Sequence, residues 1–180
     1  MVGQPFIAGV RKLIAPEGEF TDLHMTATSV TRTQRKIRTD EIDNVVLSAT
    51  LSGGGNGWFG HPDRATNLGG PLIRIRDQAK LYVLQWTGAE NHTLHVELPL
   101  AALDSRARDR VLGAAGTALP PRGLAPMLAV QMRALAEAAP DLDSEGRAAG
   151  LRSVLDLAAT VLRLEFGASS RRARSARTGC

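Results

Sequence analysis

Between Val45 and Leu98, apolar and polar residues trade places at every second position. Val45, Leu47, Ala49 and Leu51 share one face, and Ser48, Thr50 and Ser52 share the other. Ile73 and Ile75 oppose Arg74 and Arg76. Leu81 and Val83 oppose Tyr82, Leu84 and Trp86, and Leu94, Val96 and Leu98 oppose His95 and Glu97. Successive side chains of a strand point to opposite faces, so these runs predict strands whose two faces meet different surroundings. Turn-forming residues separate them at 52–57, 67–71, 77–80 and 87–91. Short strands joined by turns predict an antiparallel sandwich or barrel, not a doubly wound sheet.

After Pro99, which has no amide hydrogen to give a ladder, the period changes. A short helix is expected over 100–111, then a linker marked by Gly113, Gly116, Pro120 and Pro121. Leu124, Met127, Leu128, Met132 and Leu135 form one helical stripe that Pro140 ends, with Pro126 tolerated in the first turn. A second helix starts at Asp143 or Ser144, either of which caps free amides, and Gly167 stops it. That helix runs for about 22 residues, against roughly 10–14 for an average helix. Its stripe of Leu151, Val154, Leu155, Ala158 and Leu162, with Val161 beside it, is read as a seam for a two-fold partner. Arg147, Arg152, Asp156, Arg163 and Glu165 flank the stripe.

The first forty residues carry a weaker pattern. Phe6, Ile7, Val10, Leu13 and Ile14 have helix-like spacing, which Pro5 and Pro16 limit to about two turns. Residues 23–33 carry Ser and Thr at nearly every second position and are expected to be extended. Arg32, Arg35, Lys36 and Arg38 are answered by Asp40, Glu41 and Asp43, as in a solvated turn with paired charges.

Composition bounds the function. With 43% apolar residues but only two Trp, one Tyr and four Phe, the core of this 180-residue chain is mostly aliphatic. No run approaches the roughly 18–20 apolar residues of a membrane span. Arg11 and Lys12 follow the first apolar residues, the reverse of a secretion signal, and Cys180 is the single cysteine. A cytoplasmic protein without a disulfide framework, a Cys-based metal site or a membrane partner is expected. The net charge of +4 belongs to the end of the chain: without Arg171, Arg172, Arg174 and Arg177, 18 basic residues face 18 acidic ones. Such a tail is expected to be solvated and disordered, attracting phosphate without reading sequence.

Three sets of residues invite a chemical reading. Gly55, Gly57 and Gly60 fit the letters G-x-G-x-x-G, but His61, Pro62 and Asp63 follow instead of a helix. A hairpin turn is therefore expected there, not a dinucleotide site. His92, His95 and Glu97 resemble a metal cluster, yet residues three apart on a strand leave opposite faces, so no metal and no cofactor is expected. No serine stands in a nucleophile elbow, and no catalytic residue is assigned. Trp58, His61, Arg74, Arg76, Tyr82, Trp86 and His95 remain, large amphipathic or charged groups on strands or beside them. In the mouth of a barrel they supply the apolar wall and polar anchors of a small-molecule pocket.

The block from Val30 through Val45, then Gly69, Gly70, Pro71, Leu72, Ile73, Arg74, Ile75, Arg76 and Asp77, resembles the effector-binding half of AraC-type transcription regulators. Leu94 to Leu103, with its Leu98-Pro99, looks like that family's closing strand and entry to the helices, and Gly123 to Leu128 like the start of the next helix. The likeness covers roughly residues 6–166. Pro71 stands where the family often has Asp, and Leu100 where it often has Arg. Such regulators continue for about a hundred residues into two helix-turn-helix units. Here Phe166 gives way to Ser169, Ser170, Arg171 and Arg172.

The resemblance implies an α+β protein: a cupin-like antiparallel barrel or sandwich over 1–112, a two-helix dimerisation segment over 113–167 and a basic tail over 168–180. It implies a small effector and a homodimer, or a heterodimer with a full-length regulator, with no sequence-specific DNA reading by this truncated chain alone. The alternatives are a stand-alone cupin-like small-molecule binder and a cupin metal enzyme.

Overall fold

The computed structural model describes residues 6–40, 42–59, 65–70 and 72–167. Five strands form one antiparallel sheet: β1 (Ala8–Ala15), β2 (Gly18–Met25), β4 (Asn44–Ser52), β7 (Arg74–Asp77) and β9 (Asn91–Pro99), in the order β1-β2-β9-β4-β7. Four others, β3 (Thr28–Arg32), β5 (Gly55–Phe59), β6 (Ala65–Asn67) and β8 (Tyr82–Trp86), form the second sheet in the order β3-β8-β5-β6. The α+β class and the antiparallel two-sheet sandwich are as expected.

The alternation becomes a division between two layers. Val45, Leu47, Ala49, Ile73, Ile75, Leu94, Val96 and Leu98 pack on the helices, in one core with Leu128, Met132, Val154 and Leu155. The opposite face of the same strands meets the second sheet, where Met25, Leu68, Tyr82, Leu84 and Trp86 form a smaller cluster. Apart from the exposed edge strand β1, the five-stranded sheet is thus covered on both sides, and the residues expected as a separate helical segment are a layer of its core.

The helices follow their caps. A 3-10 turn (Leu100–Ala102) leads into α2 (Ser105–Gly113), interrupting the helix expected over 100–111 because Asp104 turns out to cap α2, accepting from the Ala107 amide at 2.9 Å. α3 (Ala125–Ala138) ends before Pro140, and α4 (Ser144–Leu162) starts at the Asp143 cap and closes with a π-helical turn, Arg163–Gly167. Arg110 of α2 donates to the Phe166 carbonyl at 2.9 Å, tying that turn down.

Five further sequence expectations are corrected. Residues 8–15 are strand β1, paired residue for residue with β2 from Ala8–Met25 to Ala15–Gly18, so long-range pairing overrides the local helical spacing. The seam residues Leu151, Val154, Leu155, Ala158 and Leu162 are at most 3% exposed within one chain, so their stripe faces the sheet and α3, not a partner. Met127, assigned to the α3 core stripe, is exposed, as is Val130. The Gly-rich letters 55–59 are strand β5, not a turn. The charged segment 32–43 holds a short helix, α1 (Gln34–Asp40), in which Arg32 and Lys36 each meet Asp40 at 2.9 Å.

Gly55 explains why β5 is poor in side chains. A β-carbon there would lie 1.7 Å from the Gln85 carbonyl oxygen and 2.8 Å from the Trp86 Cα of neighbouring β8. Gly55→Ala is expected to push the strands apart and to cost roughly 1–3 kcal/mol, the usual range for overpacking, as read by urea denaturation.

Candidate functional site

Five of the seven residues expected to line a pocket converge between the sheets. β7 sends Arg74 and Arg76 inward because Ile73 and Ile75 occupy its helix-facing side. β8 contributes Trp86 and Tyr82, and β9 contributes His95. Ser48 and Thr50 of β4 and Thr93 of β9, which sequence reasoning passed over as ordinary strand polars, complete the wall with Leu68 and Leu84. Of the other two, Trp58 lies on β5 in register with Val83, and His61 falls outside the described residues.

The electrostatics are lopsided. Arg74 donates through Nη2 to the Gly69 carbonyl at 2.6 Å and through Nη1 to the Leu72 carbonyl at 3.2 Å. The Arg76 guanidinium lies over the Tyr82 ring, 5.2 Å from its centre. Among the described residues neither arginine forms a salt bridge, while Arg74 Nε, Arg76 Nε and Trp86 Nε1 are buried with no hydrogen-bond acceptor. Burial pushes both guanidinium groups below their ordinary range; at Arg76, Tyr82 and Glu97 pull back and Arg32 adds to the depression. Guanidinium keeps its proton at any working pH, so the shift measures the cost of holding the charge out of water. The void they surround is small, about 20 Å³, room for roughly one water.

His95 is the neutral member. Ser48 Oγ lies 2.9 Å from Nδ1 and Thr93 Oγ1 lies 3.0 Å from Nε2, so two hydroxyls satisfy one donor and one acceptor. Burial, then the charges of Arg76 and Lys12, depress its pKa to about 3. An unfolded histidine titrates near 6.5, so between those values the unfolded chain binds the extra proton. Stability is therefore expected to fall as pH drops from about 6.5 toward 3, by up to ~1.4 kcal/mol per pH unit from this residue. Urea midpoints measured from pH 7 downward will show a shallower slope in His95→Gln; an unchanged slope would refute the assignment.

The opposite face of the same sheet carries a second constellation. His92 and His95 do leave opposite faces, as expected, but His92 there meets His24 and Asp22 of β2. Asp22 Oδ1 lies 2.8 Å from His92 Nε2 and 3.3 Å from His24 Nε2. No local signal in the sequence joins β2 to β9, which is why this set escaped the reading.

A separate cleft of about 360 Å³ lies between the sheet and α3, bounded by Leu51, Leu72, Pro120, Pro126 and Val130. Its one charged group is Arg133, which is exposed. Among the described residues no helix is long and apolar enough to cross a membrane.

No family profile matches the sequence, and no curated protein matches it. Among solved structures, the AraC-like transcriptional activator CuxR superposes with a TM-score of 0.68 at 20% identity, over 93% of this chain and 59% of that one. Weaker likenesses are to the EutQ protein of Clostridium difficile (TM-score 0.40, 9% identity, 56% of this chain and 70% of that one) and the Schizosaccharomyces pombe Cnp3 cupin domain (0.42, 10%, 57% and 69%). The chain thus shares its fold with CuxR and spans 59% of that protein's length.

Proposed function

We propose that this chain is the ligand-binding domain of an AraC-type transcription regulator and that its effector is a small anion held between the two sheets. One observation carries the reading: three buried nitrogens, on Arg74, Arg76 and Trp86, line one void and lack any acceptor. Buried donors are almost always paired, and an unpaired one costs about 1–3 kcal/mol. A carboxylate or phosphate supplies the missing acceptors and offsets two positive charges at once. The cleft beside α3 has more room but offers one exposed cation and otherwise apolar walls, so the chemistry favours the interior. Because the void holds little more than a water, the anion is compact, and its entry displaces the side chains of Leu68 or Trp86.

The reading is of a receptor, not a catalyst. β4, β7 and β9 carry the void on one face and the helical core on the other, so occupancy is felt directly by α3 and α4. We take the output to pass through a second subunit, either a copy of this chain or a longer relative. The exposed Met127 and Val130 on α3 take the place of the buried stripe on α4 as the contact. A thermal-shift screen tests the effector. Small carboxylates and phosphates are expected to raise the melting temperature, amines and neutral sugars are not, and Arg74→Ala is expected to remove the response. A shift produced by cations, or by anions equally in Arg74→Ala, would sink the reading.

A further inference from the structure

We infer that Asp22, His24 and His92 form a binding site for a divalent transition-metal ion, on the sheet face opposite the proposed effector void. His24 and His92 stand opposite each other in the β2–β9 register, and Asp22, two residues before His24, shares their face. All three ligand atoms lie within 4.8 Å of one another, with Asp22 Oδ1 at 2.8 and 3.3 Å from the two Nε2 atoms. Ligand atoms around a four-coordinate zinc ion, each about 2.0–2.1 Å from the metal, are about 3.3–3.4 Å apart. The observed spacing already approaches that edge length.

The carboxylate is held in place. Its side chain is 5% exposed, and Oδ2 is met at 3.4 Å by Arg11 Nη1, which also donates to the Ala136 carbonyl of α3 at 3.0 Å. Outer partners of this kind fix a ligand's direction and are a regular part of metal sites. The two imidazoles are open instead, with 60% and 22% of their side-chain surface in water. That leaves an entry path and room for water in the remaining coordination position. A cleft of about 540 Å³ adjoins them, reached past Thr26, Ser52 and Glu90. Ser52 reaches it because the bulge at Leu51 brings Ser52 opposite His92.

A hydrogen-bonded cluster is the simpler alternative, and it explains one imidazole well: His92 Nε2 donates to Oδ1. The same oxygen has a second lone pair for His24 Nε2 at 3.3 Å, but the rings stacked 3.7 Å apart also set both Nε2 atoms side by side at one carboxylate, as ligands of a single ion are. To meet one ion the rings must splay from their present 24° angle, which the exposed His24 is free to do. Each neutral imidazole then carries its proton on Nδ1 and offers the Nε2 lone pair. Two imidazoles and one carboxylate suit zinc, nickel or copper and not magnesium, which demands an oxygen shell.

Calorimetric titration of the untagged, chelator-treated full chain with zinc chloride tests the site. One ion per chain is expected, and no heat with magnesium. Outer-partner losses in metal sites weaken affinity about 10–100-fold. Arg11→Ala should fall in that range, while His24→Ala and His92→Ala should lose at least as much, with circular dichroism confirming the fold of each. Absence of zinc binding would overturn the proposal. So would affinity unchanged in His24→Ala, or binding lost in His61→Ala or Cys180→Ser, which would place the ion elsewhere. Arg76→Met, on the other face, is expected to leave zinc binding intact, so this test and that of the anion site fail independently.

Discussion

Leu155→Asp is expected to leave the chain unfolded at 25 °C, without a cooperative urea transition and with the circular dichroism of a disordered polypeptide. Leu155 is 3% exposed and belongs to the core shared by sheet and helices. It reaches the β1–β2 turn so closely that a β-carbon on Gly18 would lie 2.9 Å from its Cδ2. The substitution removes that packing, worth about 2–5 kcal/mol for a buried leucine, and strands an unpaired carboxylate, costing roughly a further 3–5 kcal/mol. The sum matches the whole stability of a typical domain, about 5–15 kcal/mol. Val130→Asp provides the contrast. Val130 is 69% exposed, so the fold survives with a change near ±0.5 kcal/mol, and any effect appears in self-association by light scattering. A folded Leu155→Asp that has merely become monomeric would restore α4 as the dimer seam.

Arg76→Met is expected to move stability and binding in opposite directions. The native side chain holds a charge against the Tyr82 ring with Nε buried and unpaired. Methionine fills similar space without that cost. Replacing buried ionic groups by apolar ones is often stabilising by about 1–4 kcal/mol, whereas the lost, partly desolvated cation–π contact is worth about 0.5–2. Because Arg76 keeps some contact with solvent, a net gain of about 1–2 kcal/mol in the anion-free protein is expected, read as a higher urea midpoint. The same variant should lose the thermal response to carboxylates and phosphates. A variant that is less stable, or that still responds, would mean that Arg76 is a structural residue.

The interior lining was legible because the sequence left little choice. Isoleucines at 73 and 75 and arginines at 74 and 76 must leave opposite faces of one strand, and Tyr82 and Trp86 share a parity in the same way. The inward direction of the arginines was not legible, since an amphipathic strand usually turns its charges to water. Here a second sheet covers that face. The stripe on α4 was also read correctly as apolar and given the wrong partner, because a helix pattern records that a face is buried and not what buries it. β1 and the Asp22–His24–His92 set depend on which strands are neighbours. Pairs separated by 68 positions, such as His24 and His92, leave no local trace.

The double covering of the central sheet has a further consequence for how such a domain diversifies. On β4, β7 and β9 the positions packed in the helical core and those that line the void are interleaved, one residue apart, on opposite faces of the sheet. Substitutions at 48, 50, 74, 76, 93 and 95 can therefore change what the interior accepts while 47, 49, 73, 75, 94 and 96 keep the scaffold intact. A single inserted or deleted residue in β7 would do the reverse, exchanging guanidinium groups for isoleucines on both faces. New specificity in this fold is expected to arise by point substitution, while its strand lengths stay fixed.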